Sequence, residues 1–214
     1  MDQRIVARTC YGIVLLAAGS STRMGSTNKL LAVLPQGPQE SILRLSVKQA
    51  LAGIAYDSLA GYLTVVTGHA HSDVQTEIDS LAVECVYNPD AHSGMASSLK
   101  VGLQRLREIA ELANRQLGFI IVCLADMPQV KPETIFQLID ARLDDNKRDF
   151  IVPVFEGQRG NPVLIGHAFF NAIKELTGDT GARKLIQKNP DSTYELIVSD
   201  SAILKDYDQP SDFM

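Results

Sequence analysis

Neither glycine-loop pattern that most often announces a bound nucleotide occurs in this chain of 214 residues. There is no Gly-x-Gly-x-x-Gly, and no Gly-Lys-Ser/Thr closes any of its loops, so a dinucleotide fingerprint and an ATPase-type phosphate loop are both excluded. Cysteine is scarce: Cys10, Cys85 and Cys123 lie far apart with no Cys-x-x-Cys, which argues against a zinc site or a disulfide framework and for a reducing cytoplasm. The four histidines, His69, His71, His92 and His167, lack zinc-ligand spacing. No basic block is present, and the net charge of -5 speaks against a nucleic-acid surface, so any anion site has to be local. Long apolar runs are missing too. The first one, Gly12 to Ala18, breaks after seven residues, which disfavours a signal peptide or a membrane span. Internal repeats and low-complexity tracts are likewise absent.

What is there is an alternating pattern. Strand-like runs recur at 12–18, 61–67, 83–87, 117–124 and 149–154, and helical periodicity fills the gaps between the first four. Alternation of this kind implies a mostly parallel sheet covered by helices. One helix is expected from Ser41 to about Ile54; another spans 94–113, where Met95, Leu99, Leu103, Leu106, Ile109 and Ala113 repeat at steps of three or four. After residue 150 the texture shifts to shorter strands and turns, which reads as a lid or binding flank within one domain rather than a second domain. A chain of this length suffices for one domain with a full core.

The most informative segment is 16–31, Leu-Ala-Ala-Gly-Ser-Ser-Thr-Arg-Met-Gly-Ser-Thr-Asn-Lys-Leu-Leu. A buried-type strand stops abruptly in a small-residue bend carrying two spaced cations, Arg23 and Lys29. Backbone N–H groups freed by such a bend can face phosphate oxygens, and glycines let the ligand approach, so Leu16, Ala17, Ala18, Gly19 and Ser20 are expected to line a triphosphate. A second chemistry-bearing strand, Leu117 to Leu124, ends in Ala125-Asp126-Met127-Pro128. A carboxylate at the C-terminal end of a parallel strand lies where open α/β sheets bind ligands, and Mg²⁺ needs only one or two carboxylates besides substrate phosphates.

The loop resembles the signature of the MobA-like nucleotidyltransferases, Leu-Ala-Ala/Gly-Gly-x-Ser-x-Arg-Met-Gly with a lysine a few residues on, and Asp126-Met127-Pro128 matches that family's metal motif. The resemblance covers nearly the whole chain. It implies a three-layer α/β/α, Rossmann-like fold and a Mg²⁺- (or Mn²⁺-) dependent transfer of a nucleoside monophosphate from an NTP to an acceptor phosphate. Lys29 is then expected on the α-phosphate, Arg23 on the departing pyrophosphate and Asp126 on the metal. The tail Asp206-Tyr207-Asp208-Gln209-Pro210-Ser211-Asp212 resembles the Asp-Ile-Asp-Thr-Pro-Glu-Asp end of the cytidylyltransferase branch, making Asp208 a second metal ligand; Tyr207 and Gln209 depart from that pattern.

Gly94-Met95-Ala96-Ser97-Ser98-Leu99 looks like the nucleotide segment of molybdopterin cytidylyltransferases, with Gly94 and Ser98 as contacts; the plain alternative is a helix start capped by Ser93. Gly68, after the second strand, would let a base lie against the backbone. The neighbouring His69 is not needed as a base, because a phosphate nucleophile with a second pKa of about 6 is already deprotonated at neutral pH. Arg159-Gly160-Asn161-Pro162 and Gly178-Asp179-Thr180-Gly181-Ala182-Arg183 resemble the acceptor motifs of the same branch. Arg159, Asn161, Pro162, Asp179 and Arg183 are therefore expected at the acceptor, with Asp179 capping a helix that begins near Thr180.

Together the resemblance points to CTP and molybdopterin as substrates, with a nucleotide-binding part at about 11–130 and an acceptor flank at about 150–214. The alternatives are a GTP-dependent guanylyltransferase of the same acceptor, a sugar- or alditol-phosphate nucleotidyltransferase, and, in a different class, a non-catalytic cofactor chaperone. The partners implied are small-molecule substrates and a molybdoenzyme or its maturation chaperone, with neither nucleic acid nor membrane.

Overall fold

In the computed structural model, residues 9–19, 28–34, 38–55 and 59–208 are described. Their strands form one sheet: β1 (Thr9–Ala17), β2 (Ala60–Thr67), β3 (Glu84–Tyr87), β4 (Gln116–Leu124), β5 (Phe150–Phe155), β6 (Gln158–Arg159), β7 (Val163–Gly166) and β8 (Thr193–Ile197). The order begins β3-β2-β1-β4-β7-β5. β1 pairs in parallel with β2 and β4, and β2 with β3. β7 runs antiparallel to both β4 and β5, and β8 lies parallel to β5 on its far side. Because β8 occupies that side over Phe150 to Val154, β6 shares β7's side, and the two are one returning arm broken at residues 160–162. The last third therefore contributes strands β5 to β8 to the same sheet.

Alternation along β1 explains the layers. Tyr11, Ile13, Leu15 and Ala17 face one core, with Ile42, Leu43 and Val47 of α1 (Ile42–Ala55) and Ile135, Leu138 and Ile139 of α4 (Pro132–Asp144). Cys10 and Val14 face the other, with Leu99, Leu103 and Leu106 of α3 (Met95–Leu112), Phe170 and Ile173 of α5 (Phe170–Lys174), and Leu185 and Ile186 of α6 (Arg183–Lys188). The near-continuous apolar run of β1 is what burial on both faces requires. Short α2 (His71–Ile78) adds Val74 and Ile78 to the first core.

The helix α3 lies unusually close to the sheet. A Cβ on Gly102 would sit 2.4 Å from Val14 Cγ1 and 2.9 Å from Val66 Cγ2, while one on Gly12 would sit 2.4 Å from Leu106 Cδ1. These two glycines let the helix that follows β3 press against β1 and β2, which fixes where its N-terminus emerges. The expected helices at 41–54 and 94–113 are found within a residue of those limits, and β1 begins three residues before its apolar run.

Candidate active site

The strands β1 to β4 all point their C-terminal ends at the same edge, and a cleft of about 880 Å³ opens there. Leu16, Ala18 and Gly19 enter it from β1, His69 from the end of β2, Ala91, His92, Gly94, Met95 and Ser98 from the turn into α3, and Leu124 and Asp126 from the end of β4. This is the ligand edge of an open α/β sheet.

Lys29 opens a short 3-10 turn, Lys29–Leu31, whose start is capped by Asn28: its side-chain oxygen accepts from Leu30 N–H at 3.1 Å. Leu30 is 4% exposed and pins the turn in the core. The lysine ammonium reaches Asp126 Oδ2 at 2.8 Å and Asp208 Oδ1 at 2.7 Å, with its side chain 11% exposed. Burial pulls its pKa down, but hydrogen bonds and charge from the two carboxylates outweigh that, and the ammonium is held above its ordinary value.

Each carboxylate is placed by backbone hydrogen bonds. Ala125 N–H donates to the Leu16 carbonyl (3.1 Å), Ser46 Oγ donates to the Ala125 carbonyl (2.8 Å), and Tyr207 N–H donates to the Asp126 carbonyl (2.9 Å). That last bond lays the tail beside β4. The Tyr207 ring, only 3% exposed, belongs to the first core and anchors Asp208 next to Asp126. Tyrosine at the position where the resemblance has isoleucine thus keeps a buried apolar anchor. A group of three or more metal-ligating side chains is absent among the described residues. The two carboxylates nonetheless converge on one cation, the donor set that Mg²⁺ takes when phosphates supply the rest.

The N-terminus of α3 forms the facing wall. Gly94 has φ +106°, a conformation that favours glycine, and a Cβ there would meet the Gly178 carbonyl carbon at 2.5 Å. Ser93 is not the cap, since it lies in the preceding 3-10 turn and its hydroxyl donates to the Asp90 carbonyl. The cap comes from 84 residues away, where Asp179 Oδ1 accepts from Met95 N–H at 3.2 Å. Buried Asn88, which the sequence reading passed over, donates from Nδ2 to Ser97 Oγ (2.8 Å) and Ser98 Oγ (2.9 Å) and so fixes the first turn.

These features match a known family, whose profile, the MobA-like NTP transferase domain, covers residues 13–193. The chain belongs to that family. It is 30% identical over 212 residues to the purine catabolism protein PucB of Bacillus subtilis, spanning 94% of this chain and 92% of PucB. The crystal structure of Rv0371c from Mycobacterium tuberculosis superposes with a TM-score of 0.78 at 27% identity, covering 96% and 95% of the two chains. A manganese complex of Rv0371c gives 0.74 at 24% identity, covering 95% and 96%. By membership the protein is a nucleotidyltransferase with a Rossmann-like sheet.

Of the residues expected in this MobA-like transferase, Leu16, Ala18, Gly19, Lys29, Gly94, Ser98, Asp126, Asp179 and Asp208 all line this cleft. Ser20 and Arg23 lie outside the described residues, as does the tail beyond Asp208. Ala17 is turned into the first core. Gly68 is explained by packing rather than by an open ledge for a base, because a Cβ there would meet the Ala18 carbonyl oxygen and Ala91 Cβ, both at 2.9 Å. Three residues expected at the acceptor make contacts away from the cleft in this structure. Arg159 Nε pairs with Glu195 at 2.6 Å on β8. Asn161 N–H donates to the Ile203 carbonyl at 3.0 Å, and Pro162, after a cis peptide bond, lines a small separate apolar pocket. This segment grips the 201–204 turn instead of the cleft. Asp179 does not cap its own helix, since the positive φ of Gly178 (+73°) and Gly181 (+49°) delays α6 until Arg183, which is exposed and outside the cleft lining. His69, His92, Met95 and Asp206 are additional lining residues.

Proposed function

We propose that the protein transfers CMP from CTP to the phosphate of molybdopterin-bound molybdenum cofactor and releases pyrophosphate. The observation that carries this reading is the convergence of Asp126 and Asp208 on one cation, Lys29, at the C-terminal edge of four parallel strands. An acceptor phosphate oxygen forms a bond to the α-phosphorus as the bond to the bridging oxygen breaks, and that electron pair leaves on pyrophosphate. No side chain has to take a proton, since the attacking phosphate is already ionised near neutral pH. The protein's task is alignment and charge neutralisation.

Asp126 and Asp208 would hold Mg²⁺ or Mn²⁺, and manganese in the Rv0371c complex supports a divalent ion here. When bound, such an ion offsets phosphate charge and orients the triphosphate. Lys29 serves the α-phosphate and Arg23 the pyrophosphate. Ala18 and Gly19 meet the phosphates, while Gly94 and Ser98 meet base and ribose. The acceptor enters past the Gly178–Gly181 turn, with Asp179 on the cleft wall and Arg183 just beyond. The choice of CTP rests on Leu-Ala-Ala-Gly in place of Leu-Ala-Gly-Gly and on the Gly178 to Arg183 motif. A molybdoenzyme or its maturation chaperone would receive the product in the cytoplasm; no helix among the described residues is long and apolar enough to cross a membrane.

A competition tests the reading: protein, Mg²⁺, molybdopterin-bound molybdenum and equimolar CTP, GTP and ATP in one tube, the product identified by mass. A cytosine dinucleotide is expected. A guanine product overturns the base assignment and keeps the chemistry; no product with any nucleotide overturns the acceptor.

A further inference from the structure

Lys29 and a divalent ion require the same oxygens. The ammonium lies 2.8 Å from Asp126 Oδ2 and 2.7 Å from Asp208 Oδ1, so it sits between the two carboxylates that a metal would join. A dication cannot share that position with an ammonium at hydrogen-bond distance from both ligands, because both cations draw on the same lone pairs and repel each other. Lys29 is also tethered: the Asn28 cap and buried Leu30 fix its backbone, and only its flexible four-carbon stem can carry the ammonium away. Leaving two carboxylates for solvent gains nothing for a largely buried cation. Leaving them for a polyphosphate in the same cleft does, since the phosphates replace one set of anionic acceptors with another.

We infer that Lys29 is a built-in counter-cation that keeps divalent metal off Asp126 and Asp208 until a nucleoside triphosphate draws the ammonium onto its phosphates. Metal and nucleotide then enter as a unit, and the nucleotide-free protein holds metal weakly. The inference rests on the nucleotidyl-transfer reading above, and it concerns the order of loading rather than the chemistry.

The test uses Mn²⁺ alone, titrated into nucleotide-free full-length protein, with free Mn²⁺ read by its paramagnetic resonance signal. Lys29→Met is expected to bind Mn²⁺ tighter than wild type by about tenfold, equivalent to about 1.4 kcal/mol. Lys29→Arg, which keeps the charge, is expected to stay near wild type. The double variant Lys29→Met/Asp126→Asn is expected to lose the gain, which places the ion at this site. Should Lys29→Met fail to fold by its thermal melt, Lys29→Gln takes its place. Binding that depends on Asp126 but is no tighter without the ammonium overturns the inference and leaves the metal site standing. Binding insensitive to Asp126 in every variant overturns both.

Discussion

Replacing Tyr207 by alanine separates the tail's structural role from its chemical one. The ring is 3% exposed within the first core, and its backbone N–H holds the Asp126 carbonyl at 2.9 Å. Truncating a buried aromatic ring to alanine costs about 3–5 kcal/mol where the surroundings cannot collapse. Lys205 Nζ lies 4.8 Å from the ring centroid and adds a cation–π contact of about 0.5–1 kcal/mol. The tail can instead detach, which limits the loss to its docking energy, so about 3 kcal/mol is expected. For a chain of this size that lowers Tm by about 6–12 °C. Activity should fall as well, because a detached tail takes Asp208 with it. The assay pairs calorimetric melting with pyrophosphate release for Tyr207→Ala, Tyr207→Ile, Asp208→Asn and the Tyr207→Ala/Asp208→Asn double variant. Tyr207→Ile, with the residue of the family pattern, should recover more than half of both losses. Effects of Tyr207→Ala and Asp208→Asn on kcat/KM should be strongly non-additive, since both remove one carboxylate from the cluster. Wild-type melting in Tyr207→Ala, or additive losses in the double variant, would refute the anchoring argument.

Three further outcomes follow from the geometry. Gly102→Ala forces a methyl to within 2.4 Å of Val14 Cγ1 and should destabilise the fold by about 1–3 kcal/mol, read as a lowered denaturation midpoint with an unchanged slope. Asp179→Ala removes the α3 cap, costing about 0.5–1 kcal/mol and raising KM for the nucleotide more than it lowers kcat; Asp179→Asn, also a good cap, should restore both, and equal behaviour of the two variants would show that the cap is unimportant. The Lys29 pKa is raised above its ordinary 10.5, so its contribution is fully present below that value and is lost as pH rises through the raised one. The melting difference between wild type and Lys29→Met should therefore stay constant through neutral pH and close at strongly alkaline pH; a gap that closes near neutrality contradicts the ion trio.

What was legible in the sequence and what was not divides along sequence separation. Strand β1, its abrupt end, and Asp126 at the end of β4 could be read because each is a local pattern: an apolar run, a turn, a carboxylate at a strand terminus. The mostly parallel sheet follows from the same alternation. Pairing was not readable. Nothing local says that Lys29 meets residues 97 and 179 positions away, nor that Asn88 sets Ser98. Many of the residues singled out by the resemblance line one cleft, but the resemblance did not say which would be bonded to one another.

The C-terminal third shows contacts that motif likeness alone does not reveal. Arg159 to Pro162 looks like part of an acceptor site, yet the arm it belongs to runs antiparallel beside β5, and a Cβ on Gly160 would lie 2.3 Å from the Ile203 carbonyl oxygen. A glycine under that constraint is there so that the 201–204 turn can close over the arm, and that turn in turn positions the tail. Asp200, 4% exposed, ties this turn to the start of α4 by accepting from Lys131 N–H and Thr134 Oγ1. The chain from 159 to 162 is thereby tied to the turn at Ile203, which leads through Asp206 into Tyr207 and Asp208. On this argument a substitution such as Asn161→Ala, which leaves its backbone N–H donor to Ile203 in place, should alter activity little, whereas Gly160→Ala should displace the turn and lower turnover together with Tm. The opposite ranking would restore Asn161 to the acceptor site and require the tail to be positioned by some other contact.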